Sequence, residues 1–329
     1  MARILVTGGC GFIGSHLGQA LYDRGDTVVV MDDLSTGSTS NLTPGARLLV
    51  GDINDRALLE DACQGVDAVF HLAAIASVER GVRDWTGTHR ANLSGTIAVL
   101  DAARVARVPV VYASSAAVYG AGGHLPLDES QAVSPLSAYG ADKLGCEQHA
   151  RVGGHVHGIA TAGMRFFNVF GPRQDPRSPY TGVISVFCDR LRRGQPVDVF
   201  GDGLQTRDFV HVGDVVAALL AALPAASTAA PVFNVCTGQP TSVLRLAETI
   251  AELCDTPLKV NWRPGRAGEI AHSLGERAKA RDALLLAEPM PLRAGLQDTL
   301  AWLDERGDGA ATGTALGAAA PLVRTAAAA

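Results

Sequence analysis

The 329-residue chain has no apolar run long enough to span a bilayer, although apolar residues make up 47% of it. Alanine-rich windows come nearest, but glycines and charges interrupt them, so no membrane span is expected. Cysteine is sparse and scattered: Cys10, Cys63, Cys146, Cys188, Cys236 and Cys254 contain no Cys-x-x-Cys pair. That spacing argues against a disulfide framework or a zinc site, and for a reducing, cytoplasmic compartment. A strand-like run begins at residue 3, so no signal peptide is expected. Positive charge is in deficit: 28 Lys and Arg face 33 Asp and Glu, for a net charge of −5. No nucleic-acid or anionic-membrane partner is expected, and an anionic ligand must be held by a few placed arginines and helix ends. With only 19% charged residues the chain reads as globular, long enough for two lobes around one cleft.

What is present begins with a glycine turn. Residues 3–7 read as a buried strand, and Thr7-Gly8-Gly9-Cys10-Gly11-Phe12-Ile13-Gly14 then opens a helical pattern. Gly8, Gly11 and Gly14 suit a tight turn, close backbone approach to a pyrophosphate and close helix–strand packing. A second apolar strand, 27–31, ends at Asp32, 18 residues after Gly14, where a carboxylate takes the adenosine ribose hydroxyls. Asp33 follows, and no arginine occurs before Arg47. Two carboxylates without a cation repel a 2′-phosphate, so NAD is expected rather than NADP.

Further strands are expected at 47–50, 67–72 and 108–113, with helices between them, for instance at 55–63 and 94–106. The alternation predicts an α/β fold, a Rossmann-type doubly wound parallel sheet, over residues 1–165. Residues 166–305 are richer in proline and glycine and read as a smaller α/β substrate lobe, some of whose segments return to the sheet. Residues 306–329 form a low-complexity Ala/Gly/Thr tail, expected to be poorly ordered.

Two segments carry reaction chemistry. Tyr112-Ala113-Ser114-Ser115-Ala116-Ala117 follows a buried strand, and Ser137-Ala138-Tyr139-Gly140-Ala141-Asp142-Lys143 places Tyr139 24 residues beyond Ser115. Pro135 and Ser137 look like a helix entry, so Tyr139 and Lys143 share one helix face. An ammonium beside a phenol favours the phenolate, which then exchanges a proton with a substrate hydroxyl. Ser115 is placed to hydrogen-bond the same oxygen, or simply to cap a turn.

Taken together with Gly51-Asp52-Ile53, His71-Leu72-Ala73-Ala74, Asn92-Leu93-Ser94-Gly95-Thr96, Arg165-Phe166-Phe167-Asn168 and Thr206-Arg207-Asp208-Phe209, these segments resemble the extended short-chain dehydrogenase/reductases. Within that group the chain is most similar to the NAD-dependent epimerase/dehydratase family, typified by UDP-glucose 4-epimerase. The resemblance implies NAD held by Gly8, Gly11, Phe12, Ile13, Gly14, Asp32, Asp33, Asp52, Ile53, Leu72, Ala73, Ala74, Asn92, Tyr139 and Lys143. It implies Ser115, Tyr139 and Lys143 as catalytic residues, and a UDP-sugar held by Ser115, Asn168, Arg207 and Arg266. Ser273, counted from Arg266-x-Gly268-Glu269, falls at a pocket wall beside the sugar, where a small residue leaves room for an N-acetyl group. Arg80 or Arg83 would meet a uronic carboxylate. A homodimer is also implied.

Alternatives stay open at this point. Arg207 has Asp208 beside it, Arg266 has Glu269 nearby, and the phenylalanines suit a core better than a stacking platform. A 4-ketoreductase, dehydrogenase or dehydratase would use the same scaffold, and a non-catalytic NAD-binding sensor would keep only the cofactor site. The resemblance argues against a dehydratase, because Ala116 and Ala117 stand where such enzymes carry an acid–base pair.

Overall fold

A computed structural model of the chain describes residues 1–178, 181–266, 268 and 270–306. The tail beyond Arg306 lies outside the described residues. Strand and helix alternate through β1 (Arg3–Thr7), α1 (Phe12–Asp23), β2 (Thr27–Asp32), β3 (Arg47–Val50), α2 (Arg56–Ala62), β4 (Ala68–His71), α3 (Val78–Arg83), α4 (Trp85–His89), α5 (Gly95–Ala106), β5 (Val110–Ser115), α6 (Ala138–His157) and β6 (Thr161–Phe166). There follow β7 (Asn168–Phe170), α7 (Val183–Leu191), β8 (Val197–Phe200), β9 (Thr206–His211), α8 (Val212–Ala222), β10 (Val232–Val235), β11 (Pro240–Ser242), α9 (Val243–Leu253), β12 (Val260–Arg263), α10 (Ala278–Leu284) and α11 (Leu292–Arg306).

The main sheet has seven strands in the order β10-β6-β5-β4-β1-β2-β3, all paired in parallel. Its central strands are apolar on both faces, so both must be covered. One face packs on Leu17 and Leu21 of α1, Val215 and Leu219 of α8 and Leu284 of α10. The other packs on Leu59 of α2, Val99 and Ala103 of α5 and Cys146 and Ala150 of α6. Strand order reverses between β1 and β4, which opens the crevice where such sheets bind ligands.

The remaining strands form a three-stranded sheet, β11-β9-β7, and a two-stranded one, β12-β8. Helices α7, α9 and α11 pack on them through Phe187, Leu246, Ile250 and Leu296. Two expected strands shift. The run 108–113 becomes Val110–Ser115, because Pro109 has no N–H to give the ladder and Val110 starts it. Ser115 therefore sits on the strand itself. The run 67–72 shortens to Ala68–His71. Among the described residues, no helix is long and apolar enough to cross a membrane.

Candidate active site

The glycine turn lies at the crevice. Gly8 has φ +73°, and a Cβ there would come within 2.7 Å of the Ala73 nitrogen. Leu72 and Ala73 cross this close because they are tied to Thr7: Leu72 N–H donates to its carbonyl (3.1 Å) and Ala73 N–H to its Oγ1 (3.3 Å). Gly11 begins α1 without a side-chain cap, and the first turn that holds Phe12, Ile13 and Gly14 has no acidic residue. Uncapped helix amides without a competing carboxylate suit a diphosphate.

Asp32 ends β2 against this turn. Its Oδ2 accepts from Cys10 N–H and its Oδ1 from Leu34 N–H, both at 2.9 Å. Burial pushes the carboxyl above its usual range, while the two amides pull it back. Asp33 Oδ1 accepts from the Ser35 amide and hydroxyl. Arg47 is committed to Asp61 at 2.6 Å. Asp52 binds Asn54 through Oδ1 and Arg90 through Oδ2 at 3.2 Å, and Ile53 is buried against Gly95. Turn, uncapped helix and the Asp32 carboxylate together fit NAD.

Asn92 is fully buried in a π-helical turn, Arg90–Ser94, between α4 and α5. Its Oδ1 accepts from Ile75 N–H (2.7 Å) and its Nδ2 donates to the Ile75 carbonyl (3.2 Å). Asn92 thereby pins the segment after β4 that carries Leu72, Ala73 and Ala74.

Beneath that segment, His71 bridges Thr7 Oγ1 (2.7 Å, at Nδ1) and Thr96 Oγ1 (3.0 Å, at Nε2). Thr96 donates its own proton to the Asn92 carbonyl at 2.6 Å, so it accepts from Nε2–H and His71 is the neutral Nε2–H tautomer. Burial first, and the Lys143 charge second, lower its pKa from 6.5 to about 3. The unfolded chain therefore binds the proton more readily between these values. Stability from this group is complete above pH 6.5 and declines as pH falls toward 3. At pH 5 the expected loss is about 2 kcal/mol. Denaturant titrations at pH 7.5 and 5 on wild type and His71→Gln test this; equal acid losses in both would rule it out.

The residues expected to carry the reaction meet where β5 ends. Ser137 caps α6 by accepting from Gly140 N–H at 3.1 Å. Gly140 admits the preceding turn, since a Cβ there would lie 2.6 Å from the Ala117 carbonyl. Half-buried Tyr139 is thus held beside the Ser115 turn. Lys143 is buried, its Nζ donating to the Ala113 carbonyl (2.9 Å) and standing 5.9 Å from the Tyr139 ring centre. Ser115 Oγ accepts from Ala117 N–H at 3.1 Å. It does cap a turn, and its O–H is left to donate. Ala116 and Ala117 offer no titratable group.

The lobe brings other expected residues together. Asn168 on β7 pairs with Phe209 of β9, two residues from Arg207, and alternation puts Asn168 and Arg207 on one side of the ladder. Ser273 N–H donates to the Thr206 carbonyl at 3.1 Å, placing it next to Arg207. Arg207 itself donates to the carbonyls of Thr206 (2.8 Å) and Ala271 (3.4 Å). Pairing of Arg207 with Asp208 does not account for either residue. Asp208 points to the opposite, buried side and accepts from Thr237, Gly238 and Gly275. Arg266 stacks on Phe200 at 3.9 Å; its sequence neighbour Glu269 lies outside the described residues. Phe167, Phe170 and Phe209 are core residues, and Arg83 pairs with Glu79 within α3.

A buried polar cluster of Ser114, Glu147, Arg165, Tyr119 and Asn234 behind these residues was not anticipated. Ser114 and Arg165 stand in the quoted motif segments, and the four-residue spacing Tyr139–Lys143–Glu147 puts Glu147 on the same helix face.

The family model for the NAD dependent epimerase/dehydratase family matches residues 4–236. A UDP-glucose 4-epimerase of Mycolicibacterium smegmatis is 36% identical over 306 residues, 91% of this chain and 97% of the relative. The crystal structure of a UDP-glucose 4-epimerase from Thermotoga maritima with UDP-glucose superposes with a TM-score of 0.89 at 33% identity, covering 92% of this chain and 99% of that one. A UDP-N-acetylglucosamine 4-epimerase from Methanobrevibacter ruminantium superposes with a TM-score of 0.88 at 33% identity, covering 93% and 99%. The chain belongs to the NAD dependent epimerase/dehydratase family, whose cofactor the Gly8–Gly14 turn and Asp32 are shaped to take.

Proposed function

We propose that this enzyme inverts C4 of a UDP-sugar through a 4-keto sugar. The observation that carries the reading is the convergence of Ser115, Tyr139 and Lys143 at the end of β5, with alanines at 116 and 117. Ser115 O–H donates to the C4 oxygen. Tyr139 takes the C4 hydroxyl proton and later returns it. The Lys143 ammonium, fixed by the Ala113 carbonyl, keeps a positive charge beside the tyrosine that carries the proton. Bound NAD supplies the acceptor and then the donor of the C4 hydride. The Ala116 and Ala117 methyls cannot move protons, so water is not eliminated. Family relatives named for UDP-glucose and UDP-N-acetylglucosamine epimerisation support the substrate class. Incubation with UDP-glucose and UDP-N-acetylglucosamine, read by NMR, should give the C4 epimer. A product about 18 Da lighter would establish a dehydratase instead.

Asn168, Arg207 and Arg266 hold the nucleotide in this reading, the arginines meeting the diphosphate. Ser273, beside Arg207, leaves volume for an acetamido group as the keto sugar turns. Ser273→Tyr should abolish turnover of UDP-N-acetylglucosamine while retaining that of UDP-glucose; equal loss of both would refute the wall assignment.

A homodimer through α5 and α6 belongs to the same reading. These helices pack together and leave Ile97, Val105, Val152 and Val156 exposed at 38%, 60%, 52% and 61%. Sedimentation as a monomer would exclude it. The scattered thiols, five of the six buried, suit a reducing cytoplasm, and localisation of a tagged chain would decide that.

A further inference from the structure

Glu147 lies one helical turn beyond Lys143 on the face of α6 that carries Tyr139. It is 7% exposed and faces Arg165 of β6, 4% exposed. The guanidinium grips the carboxylate with two bonds, Nε to Oε1 at 2.8 Å and Nη2 to Oε2 at 2.7 Å. Ser114 donates its hydroxyl to Oε1 at 2.6 Å. Arg165 Nη1 also donates to Tyr119 OH (2.9 Å), which donates to Asn234 Oδ1 (2.7 Å).

Stability does not explain such a pair. Desolvating two charges costs several kcal/mol for each, and apolar residues of the same volume commonly hold a helix to a sheet as well. What a two-bond ion pair adds is geometry. It fixes the rotation and height of α6 against β6, and Ser114 fixes them against β5. Three consecutive residues of β5 then act in concert. The Ala113 carbonyl holds Lys143, Ser114 holds Glu147, and Ser115 is left for substrate. Proton transfer needs its groups set to within about half an ångström.

We propose that the Glu147–Arg165 pair, locked to Ser114, is a positioning element that sets Tyr139 and Lys143 against Ser115. Its turnover test rests on the epimerase reading; its exchange test does not. The variants are Ser114→Ala and the double variant Glu147→Met/Arg165→Met, each studied as NAD-loaded full chain. The double variant should keep its thermal midpoint, NAD affinity and KM while kcat falls about 30-fold, and Ser114→Ala should lose several-fold in kcat alone. Hydrogen exchange, measured without substrate, should quicken in segments 113–119 and 138–148 and nowhere else. Wild-type kcat in the folded double variant would overturn the proposal, as would a loss spread over KM, NAD affinity and exchange throughout the chain. If the double variant does not fold, unchanged kcat and exchange in Ser114→Ala overturn it. Wild type is assayed first: if it epimerises no UDP-sugar, the functional reading fails, and the exchange pattern still judges the positioning role.

Discussion

Tyr139→Phe is expected to lower turnover of the UDP-sugar by about 10²–10⁴-fold while NAD affinity stays within about twofold. The substitution removes one oxygen and nothing else. The ring keeps its place on α6, because Ser137 still caps the helix and Gly140 still meets the Ala117 carbonyl. Lys143 keeps its bond to the Ala113 carbonyl. In the proposed mechanism only the proton carrier at the C4 oxygen is lost, and the Ser115 hydroxyl, which serves as a donor, does not replace it. Steady-state kinetics and an NAD titration check this together. Near-normal kcat would remove Tyr139 from the chemistry, and a matching loss of NAD binding would make its role structural.

Gly14→Ala should weaken NAD binding about 100-fold, equivalent to about 3 kcal/mol, and lower the thermal midpoint. Helix propensity alone predicts the reverse, a gain of about 1 kcal/mol for alanine over glycine. Geometry decides against it. The added Cβ would stand 2.1 Å from the Gly8 carbonyl oxygen and 2.8 Å from Gly9 Cα. Both are backbone atoms of the turn that would receive the pyrophosphate, so the turn must open to make room. Gly122→Ala, where a Cβ meets nothing within 4 Å, serves as the control. Wild-type NAD affinity in Gly14→Ala would show that the turn does not hold the cofactor as described.

Features whose meaning is local were legible in the sequence. The turn at Gly8–Gly14, the carboxylate ending β2 and the Ser137 cap each depend on a few consecutive residues and on strand and helix periodicity. The rest depended on elements meeting in space. Arg207 and Asp208 are neighbours in sequence, yet a strand sends successive side chains to opposite faces, which separates them. Asn92 stood in a recognisable segment, but its grip on the Ile75 backbone depends on a π turn that local patterning does not announce. His71 stood in another such segment, and its tautomer follows only from Thr7 and Thr96 closing over it. Glu147 and Arg165 are ordinary charged residues until α6 and β6 pack together.

The last strand of the main sheet has a consequence for how the chain matures. β10 completes the sheet beside β6, yet it is made only after β7, β8, β9, α7 and α8. On the ribosome, β6 therefore waits with an open edge while β7, α7, β8, β9 and α8 emerge, and an open edge invites pairing with other chains. Translation arrest between Phe166 and Val232 would leave six of the seven strands with β6 as an adhesive edge. Only when Val232–Val235 pairs with it does β6 pass from edge strand to interior strand.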